Sequence, residues 1–364
     1  MERNNKFIAA SPEQPGVVRD LVYLDLNQQC SFTKMLDISK LMEQKGIILA
    51  VVGGAAAATV AVLLMSRRKR LKDQYELVGE VASIHCYPVK SMQAIRHDVG
   101  FCSSTGLRML NTRDRQFVVV RSNGDFITQR QISRMAGIKV SIEGSYLKME
   151  ADGMPDIKVS VSPKKDEDAI VSCRVWDDKL QAQDCGQEVG QWLSQYLGEE
   201  EIRMLVVMPG ITNRACKVMN STQRDKLVFQ DEGPYLLTTE ESLKDLVRNL
   251  DRPANEEVTM KHFRPNIVIK GTKEPWDEDN WSHLVIGKNL RMRVLAPMER
   301  CLLTTVNPET YERRKDGEPL KTLKRIRMFP EVSKTSPLFG ISLGVEVENT
   351  VRVGDPVYAK RKTF

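Results

Sequence analysis

The chain has 364 residues, of which 41% are hydrophobic and 28% charged, and its formal net charge is +6. This composition predicts a folded protein, because disordered chains have fewer apolar residues and a larger net charge. The length suffices for one large domain or two ordinary ones. The mild basic excess suits an anionic ligand or an acidic partner. The sequence has no zinc-finger spacing or RNA-binding motif, so we expect no nucleic-acid partner.

The first predicted element is a membrane anchor at residues 46–65. This segment, GIILAVVGGAAAATVAVLLM, carries no charged side chain, and a helix of about 20 residues spans the apolar core of a bilayer. A signal peptide would lie nearer the N-terminus, and a core helix would have a polar face. The basic cluster SRRKR follows at 66–70, so the positive-inside rule predicts that the C-terminal domain faces the cytosol. Residues 1–45 are polar and mixed in composition, and we predict that most of them are disordered.

Residues 76–364 are predicted to be rich in β-strands. Short apolar segments recur, among them VASIHCYPV (81–89), RQFVVV (115–120) and FITQR (126–130), and SNGD between the last two is a hairpin-turn signal. IRMLVV, NIVIKG, LRMRVLAPM and VGDPVY follow later in the chain. The pattern predicts a β-rich α+β fold built from barrels or sandwiches, with a domain boundary near residue 200.

Two helices interrupt the predicted strands. QEVGQWLSQYLG has an apolar face and ends at Gly198, which can adopt the left-handed conformation that terminates helices. TTEESLKDLVRNL is predicted to begin at a capping box formed by Thr238 and Glu241. The apolar faces consist of Val189, Trp192, Leu193, Tyr196 and Leu197 in the first helix, and Leu243, Leu246, Val247 and Leu250 in the second.

Basic and polar residues at strand ends are candidates for a binding site. Loops at strand ends expose side chains to pockets, and arginine binds phosphate with two parallel hydrogen bonds. As a group these residues favour a phosphate-bearing ligand, although each one alone is more often a surface charge. They are Lys90 and Ser91 in YPVKS, Arg115 in NTRDRQF, Arg264 and Asn266 in HFRPNIVI, and Arg300 in MERC.

Cys301 is the cysteine with the most informative position. The seven cysteines are odd in number and scattered, which favours a reducing compartment over a disulfide framework. Cys301 follows a predicted buried strand and lies beside Arg300. It is either a small buried hydrophobe or a thiolate favoured by the neighbouring arginine, the form that binds soft metals. The residues alone leave both interpretations open.

Taken together, these segments resemble the MOSC family, and within it most closely the mitochondrial amidoxime-reducing components. The resemblance covers roughly residues 76–360. It implies a MOSC N-terminal β-rich domain over 76–200 and a β-barrel-like MOSC domain over 201–364. The segments that carry it are GEVASIHCYPVKS, GLRMLNTRDRQFVVV, CRVWDDKLQAQDCG, FRPNIVI, RCLLTTVNPETYERRKDGEPLKTLK, SPLFG and VGDPVY.

The resemblance implies a molybdenum cofactor with Cys301 as the protein ligand to the metal. Asp231 in FQDEGPYLL matches an acidic residue near the metal, which makes it a second candidate catalytic residue and a candidate proton relay. The positions that match residues holding the pterin and its phosphate are Lys90, Ser91, Arg115, Arg264, Asn266 and Arg300.

Several positions depart from the family pattern. Glu299 replaces a serine before Arg-Cys, and Ser342 replaces a tyrosine. Met92 replaces the cysteine that commonly follows YPVKS, and Glu232 with Gly233 replaces small hydroxyl residues. These differences bear on the substrate pocket and on the finer contacts with the cofactor.

The activity implied by the resemblance is the reduction of N-hydroxylated compounds such as amidoximes and hydroxylamines. The chain has neither a GxGxxG fingerprint after a strand nor a CxxCH haem-attachment motif. We therefore expect the chain to take electrons from a partner protein, and the resemblance implies that they come from NADH through a cytochrome b5 reductase and cytochrome b5. The basic run ERRKDGEPLKTLKRIR (312–327) either docks an acidic haem protein or is a solvated loop. With the anchor, the resemblance implies a single-pass protein of the outer mitochondrial membrane.

Two alternatives remain at this point. A sulfurase of the MOSC family would need a pyridoxal-phosphate module, and this chain is too short to hold one as well. A membrane-tethered carrier of the molybdenum cofactor, or a non-catalytic scaffold, would keep the MOSC domain without turnover. The departures at Glu299 and Ser342 keep this second alternative open.

Overall fold

The computed structural model describes residues 74–212, 214–251 and 258–363. The predicted anchor at 46–65 and the predicted disordered segment 1–45 lie outside these ranges. Within them, no helix is both long and apolar enough to cross a membrane.

The described residues form twenty-one strands and three α-helices. The helices are α1 Gln187–Leu197, α2 Glu240–Asn249 and α3 Leu320–Ile326. The strands are β1 Glu76–Cys86, β2 Ile95–Arg96, β3 Val99–Ser103, β4 Gly106–Met109, β5 Thr112–Arg113, β6 Phe117–Val120, β7 Lys139–Glu143, β8 Tyr146–Glu150, β9 Ile157–Ser160, β10 Ile170–Val175, β11 Asp178–Asp184, β12 Arg203–Val206, β13 Arg214–Ala215, β14 Lys226–Leu227, β15 Tyr235–Thr239, β16 Ile267–Lys270, β17 Trp281–Ile286, β18 Leu290–Glu299, β19 Leu338–Val347, β20 Asn349–Arg352 and β21 Pro356–Arg361.

Seven of the strands close into a barrel. Their order is β16-β15-β19-β18-β17-β21-β1, and β1 pairs back onto β16. Neighbours are antiparallel except β15 and β16, which are parallel and joined by the crossover that contains α2. Ile84, Leu284, Met292 and Ile341 are among the fully buried side chains of this barrel. The predicted β-rich fold with a barrel is therefore confirmed.

The remaining strands form smaller sheets. One has the order β10-β11-β12-β6, a second β7-β8-β9, a third β20-β3-β4-β5, and β13 pairs with β14. A second apolar core includes Phe117, Leu147, Leu193 and Met204. Early and late segments are interleaved, since β1 belongs to the barrel and β3 pairs with β20. The division into 76–200 and 201–364 stays a prediction along the chain.

The two predicted helices are present, with one correction. Helix α1 ends at Gly198, which has a left-handed φ of 70° as expected. Helix α2 begins one residue later than predicted, because the backbone stays extended through Thr239, the last residue of β15. The N-cap is Thr239, whose hydroxyl accepts a hydrogen bond from the Ser242 backbone at 3.2 Å. The Thr238–Glu241 capping box was therefore wrong.

The segment FITQR is a second correction. It contributes one isolated bridge, between Phe126 and Val120, and then leaves the sheet. The backbone turns at Thr128, whose carbonyl accepts hydrogen bonds from the amides of Gln131 and Ile132. The turn carries Arg130 to the wall of the cavity described below.

Candidate active site

A cavity of about 300 Å³ lies beyond the C-terminal end of β18. Loops that are far apart in sequence supply its walls. All of the predicted site residues line it except Lys90, which contacts one of its wall residues. The polar and charged residues in the lining include Ser91, Arg115, Arg130, Trp176, Asp231, Glu232, Arg264, Asn266, Glu299, Arg300 and Cys301.

Asp114 holds one side of the cavity together. Its fully buried carboxylate accepts hydrogen bonds from the Tyr87 backbone at 2.9 Å, from Asn266 Nδ2 at 2.9 Å and from Arg115 Nη1 at 2.6 Å. Asn266 Oδ1 accepts from the Leu236 backbone at 3.1 Å. Both ends of the Asn266 amide are thus bonded to protein groups, and the side chain joins neighbouring strands of the barrel.

Tyr87 orients two of the predicted arginines. The guanidinium carbons of Arg115 and Arg264 lie 4.5 Å and 4.2 Å from the centre of its ring. This is within the range of favourable cation–π contact. Both arginines, and Ser91 as well, have left-handed backbones with φ of 49°, 56° and 72°. Such conformations cost free energy in residues other than glycine and cluster at functional sites.

The guanidinium groups of Arg264 and Arg300 have spare buried donors. Arg264 Nη2 and Arg300 Nε have no hydrogen-bond partner among the residues that the structure describes. Arg300 Nη2 donates to the Phe263 carbonyl at 3.0 Å. Burial lowers the pKa of each guanidinium to about 10, so both remain cationic at neutral pH. A buried charged donor without an acceptor is costly, so these side chains fit an anionic group bound in the cavity.

Lys90 lies behind the cavity wall and pairs with Asp231. Its Nζ donates to Asp231 Oδ1 at 2.6 Å and to the Phe229 carbonyl at 2.8 Å. Trp176 Nε1 donates to the same carboxylate oxygen at 2.9 Å. Burial alone would raise the pKa of Asp231, but the Lys90 charge and these hydrogen bonds lower it below its usual range. The side chain is 49% exposed, so solvent screens part of this effect.

At neutral pH Asp231 is therefore a hydrogen-bond acceptor. A proton relay through it would need protonation during turnover, and that role stays a prediction.

Cys301 is exposed, so the interpretation of it as a buried core residue was wrong. Strand β18 ends at Glu299, and the chain turns outward before the short 3₁₀ helix Leu302–Thr305. Arg130 Nη1 lies 3.9 Å from the Cys301 sulfur. Arg130 in turn stacks on Trp176, with 4.5 Å between the guanidinium carbon and the ring centre. The thiol therefore has Arg130 beside it in space as well as Arg300 beside it in sequence.

The described cysteines are free thiols. In the part of the chain that the structure describes, no group of three or more His, Cys, Asp or Glu residues is arranged to hold a metal ion. Among the described residues, Cys301 is the one cysteine in the lining of the cavity.

The loop that carries Asp231 is fixed by side chains from outside the cavity. Arg214 Nη1 donates to the Gln230 carbonyl at 2.6 Å, and the Cys216 thiol donates to the Glu232 carbonyl at 3.1 Å. Gly233 follows, and a β-carbon there would lie 1.9 Å from Ser342 Oγ. A glycine is therefore required at 233 while serine occupies 342 in this conformation.

Sequence reasoning missed four residues of the site. The charge pattern gave no reason to separate them from surface or core residues. The segments that contain them were recognised, so their position between matched residues was the available signal. They are Tyr87, Asp114, Arg130 and Trp176.

Comparison with known proteins defines the class of this fold and site. A model of the MOSC N-terminal beta barrel domain matches residues 78–200, and a model of the MOSC domain matches residues 224–358. The mitochondrial amidoxime reducing component 2 of Rattus norvegicus is 36% identical over 302 residues, which are 80% of this chain and 86% of that protein.

Two further relatives carry closely similar names. The mitochondrial amidoxime-reducing component 1 of Mus musculus is 35% identical over 299 residues, covering 80% of this chain and 84% of that protein. The component 1 protein of Homo sapiens is 35% identical over 299 residues, with coverages of 80% and 86%. The chain therefore belongs to the family of the mitochondrial amidoxime-reducing components and is a reductase of that family, which confirms the resemblance seen in the sequence.

Proposed function

We propose that this protein is a membrane-anchored molybdenum-cofactor enzyme that reduces N-hydroxylated compounds, including amidoximes and hydroxylamines. The observation that carries the proposal is the cavity where Cys301 is exposed beside buried donors of Arg264 and Arg300 that have no described partner. A thiolate suits a soft metal, and guanidinium groups suit a phosphate. The MOSC match and the names of the relatives agree with this assignment.

In this proposal, different residues of the cavity bind different parts of the cofactor. Cys301 would ligate molybdenum, while Arg115, Arg264 and Arg300 would bind the anionic parts of the cofactor, next to Ser91 in the lining. Lys90 is turned toward Asp231 and contributes its charge through that pair. When bound, the cofactor supplies the two electrons that break the N–O bond. With two protons, an amidoxime then gives an amidine and water.

The protein orients the substrate on the open side of the cavity. The Asp231 carboxylate can accept a hydrogen bond from the substrate hydroxyl, since Lys90 and Trp176 keep it ionised. Trp176 is 41% exposed in the cavity lining, and its ring contacts Arg130, which also contacts the Cys301 sulfur. These contacts would hold the N–O bond near the sulfur ligand before reduction.

The electron donors in this proposal are cytochrome b5 and its NADH-dependent reductase. Part of the basic run is engaged internally, because Arg314 pairs with Asp316 at 2.6 Å and Arg327 stacks on Trp276 at 4.3 Å. Exposed Lys315 and Lys324 remain for an acidic partner. The relatives are named mitochondrial, which supports a mitochondrial location. The outer membrane, the anchor at 46–65 and a cytosolic C-terminal domain are further parts of the proposal.

The test is the molybdenum content of the full chain, purified from a host that makes the cofactor, beside its Cys301→Ala variant. We expect close to one molybdenum per wild-type chain. In Cys301→Ala we expect the molybdenum content to fall by at least about tenfold, because loss of even a residue that only supports a metal ligand lowers metal affinity by about that much. Benzamidoxime reduction with reconstituted cytochrome b5 and its reductase should fall in parallel. Cys185→Ala, a half-buried thiol outside the cavity, is the matched control.

Three outcomes are distinguishable. Molybdenum and turnover that both depend on Cys301 support the proposal. Molybdenum without turnover supports the cofactor-carrier alternative. A wild-type chain without molybdenum contradicts the cofactor assignment altogether.

A further inference from the structure

Two glutamates of the cavity have no role in binding an anionic cofactor. Glu232 and Glu299 both line it and both are exposed. Neither carboxylate has an ion-pair or hydrogen-bond partner among the described residues. Asp231 differs from them, because Lys90 neutralises it at 2.6 Å. The cavity thus holds two carboxylates that form no close ion pair with a described residue, although the charge of Arg300 acts on that of Glu232.

Both glutamates are held in place by their backbones. Glu299 is the last residue of β18 and is paired with Leu338 of β19. Glu232 is fixed through its carbonyl, which accepts the Cys216 thiol hydrogen bond at 3.1 Å. The two charges also influence each other. Burial raises the pKa of Glu232, the nearby charges of Asp231 and Glu299 raise it further, and the charge of Arg300 partly opposes them.

A buried hydroxyl beside this wall also lacks a partner. Ser342 is 1% exposed, and its Oγ makes no hydrogen bond to a described residue. The hydroxyl is directed at Gly233, where a β-carbon would lie 1.9 Å from it. Next to Glu232 the cavity wall is therefore formed by the backbone of Gly233, and the Ser342 hydroxyl lies behind it. An unpaired buried hydroxyl is costly, so the position favours a polar ligand group at this wall.

Water solvates these two exposed carboxylates, and a cationic ligand could pair with them where the anionic cofactor cannot. An anionic cofactor uses the arginines and is repelled by Glu232 and Glu299. Retaining two unpaired carboxylates beside it raises the energy of the loaded site. A positively charged ligand at the cavity mouth would remove this cost by pairing with both. The substrate is the ligand that enters there.

We propose that Glu232 and Glu299 select cationic N-hydroxylated substrates over neutral and anionic ones. N-hydroxyguanidines and amidoximes that carry an ammonium group belong to this class. The inference rests on the proposed function. It also accounts for two departures of this chain from the family pattern at once.

The expected effect follows from exposed ion pairs. Each such pair changes binding by roughly two- to fivefold. The glutamates touch the charged part of the substrate, not the N–O bond, so their loss should raise KM and leave kcat largely unchanged. Added salt should weaken the preference, since exposed charges are screened.

The experiment uses the molybdenum-loaded full chain and three substrates of the same shape. They are benzamidoxime, which is neutral, its para-aminomethyl derivative, which is a cation, and its para-carboxylate, which is an anion. The variants are Glu232→Gln, Glu299→Gln and the double variant. Glu346→Gln, which removes an exposed glutamate of β19, is the control. Molybdenum content is measured for each protein.

We expect the wild type and the Glu346→Gln variant to prefer the cation over the anion by about tenfold or more in kcat/KM. The double glutamine variant should lose most of this preference through KM, with unchanged molybdenum content. Equal kcat/KM values for the three wild-type substrates, or a preference that survives in the double variant, would overturn the inference while leaving the N-reductase assignment intact.

Calorimetric binding of the para-aminomethyl derivative tests the selective site separately from the proposed function, because binding can be measured without turnover. If no substrate is reduced, the proposed function fails. Cation binding that depends on both glutamates would then still support the selective site, and binding that is unchanged in the double variant would refute it.

Discussion

At the residue scale, the site depends on side chains that do not themselves face a ligand. Asp114 is completely buried and joins the Tyr87 backbone, Asn266 and Arg115. It therefore sets the positions of Tyr87 and Arg115, and the Tyr87 ring lies between Arg115 and Arg264. A single carboxylate thus arranges two guanidinium groups that would otherwise repel each other.

Replacing Asp114 with Asn should destabilise the protein by about 2 kcal/mol, because hydrogen bonds to a buried charge are worth roughly that much each and Arg115 would lose its partner. Urea unfolding measured by circular dichroism gives the free energy of unfolding. Asp125→Asn removes the exposed ion pair with Arg174 and should cost less than about 1 kcal/mol. Equal losses in the two variants would show that Asp114 is not the anchor of this cluster.

At the element scale, a buried acid from a distant segment, Glu278, packs against the N-terminus of α2. Glu278 is fully buried, and its Oε2 accepts hydrogen bonds from Thr239 at 3.0 Å and from Ser242 at 2.9 Å. Its Oε1 has no partner in the described residues. Burial raises the pKa of Glu278 to about 7. The hydrogen bonds between Glu278 and the N-terminus of α2 should therefore make the stability of the protein depend on pH.

The stability of the wild type should decrease between pH 4.5 and pH 7 relative to that of Glu278→Gln. The folded state keeps a proton on Glu278 in this range and the unfolded state, with a pKa near 4.5, does not. The stabilising contribution is thus complete below pH 4.5 and lost as the pH rises through 7. We expect the difference in free energy of unfolding to change by about 3 kcal/mol.

Urea unfolding of both proteins at several pH values measures this change. Glu188→Gln is the control, since Glu188 is exposed in the first turn of α1. Parallel pH profiles for the wild type and Glu278→Gln would contradict the prediction.

At the scale of the whole molecule, barrel closure creates the site. Tyr87 and Lys90 follow β1, Arg264 precedes β16, and Cys301 follows β18. β1 and β16 are neighbours in the closed barrel, which brings these loops to one cavity. The basic run 312–327 leads from the Cys301 loop into α3. An electron donor docked on this run would therefore lie near the cavity.

Replacing Lys315 and Lys324 with Gln should slow electron transfer from cytochrome b5 at low salt by roughly threefold to tenfold, because complementary charges mainly increase the association rate. Stopped-flow measurement at several ionic strengths should show a weaker salt dependence than in the wild type. Lys158→Gln, an exposed lysine of β9 that pairs with Glu143, is the control. An unchanged salt dependence would rule out this docking surface.

Local patterns in the sequence were enough to predict much of this protein. Short apolar segments and turn signals predicted several strands, among them β1, β6, β16 and β18, and the apolar face with Gly198 predicted α1. Family motifs predicted Ser91, Arg115, Arg264, Arg300 and Cys301, which all line one cavity. These features depend on residues that are close together in the chain or on short family motifs.

Other features depended on contacts between distant segments. Arg130 comes to Cys301 because FITQR leaves its sheet at a turn that hydrogen bonds between Thr128 and Gln131 stabilise. Trp176 comes to Asp231 from the turn between β10 and β11. Thr239 caps α2 because it is the last extended residue of β15 and the helical backbone begins at Glu240.

The sequence by itself determined the strand-rich class, the family and most of the charged residues of the site, since each is encoded locally. Only the tertiary structure decided that Cys301 is exposed, that Asp114 arranges the arginines and that Glu232 and Glu299 remain unpaired. The burial and pairing of a charge depend on which distant strands the closed barrel brings beside it.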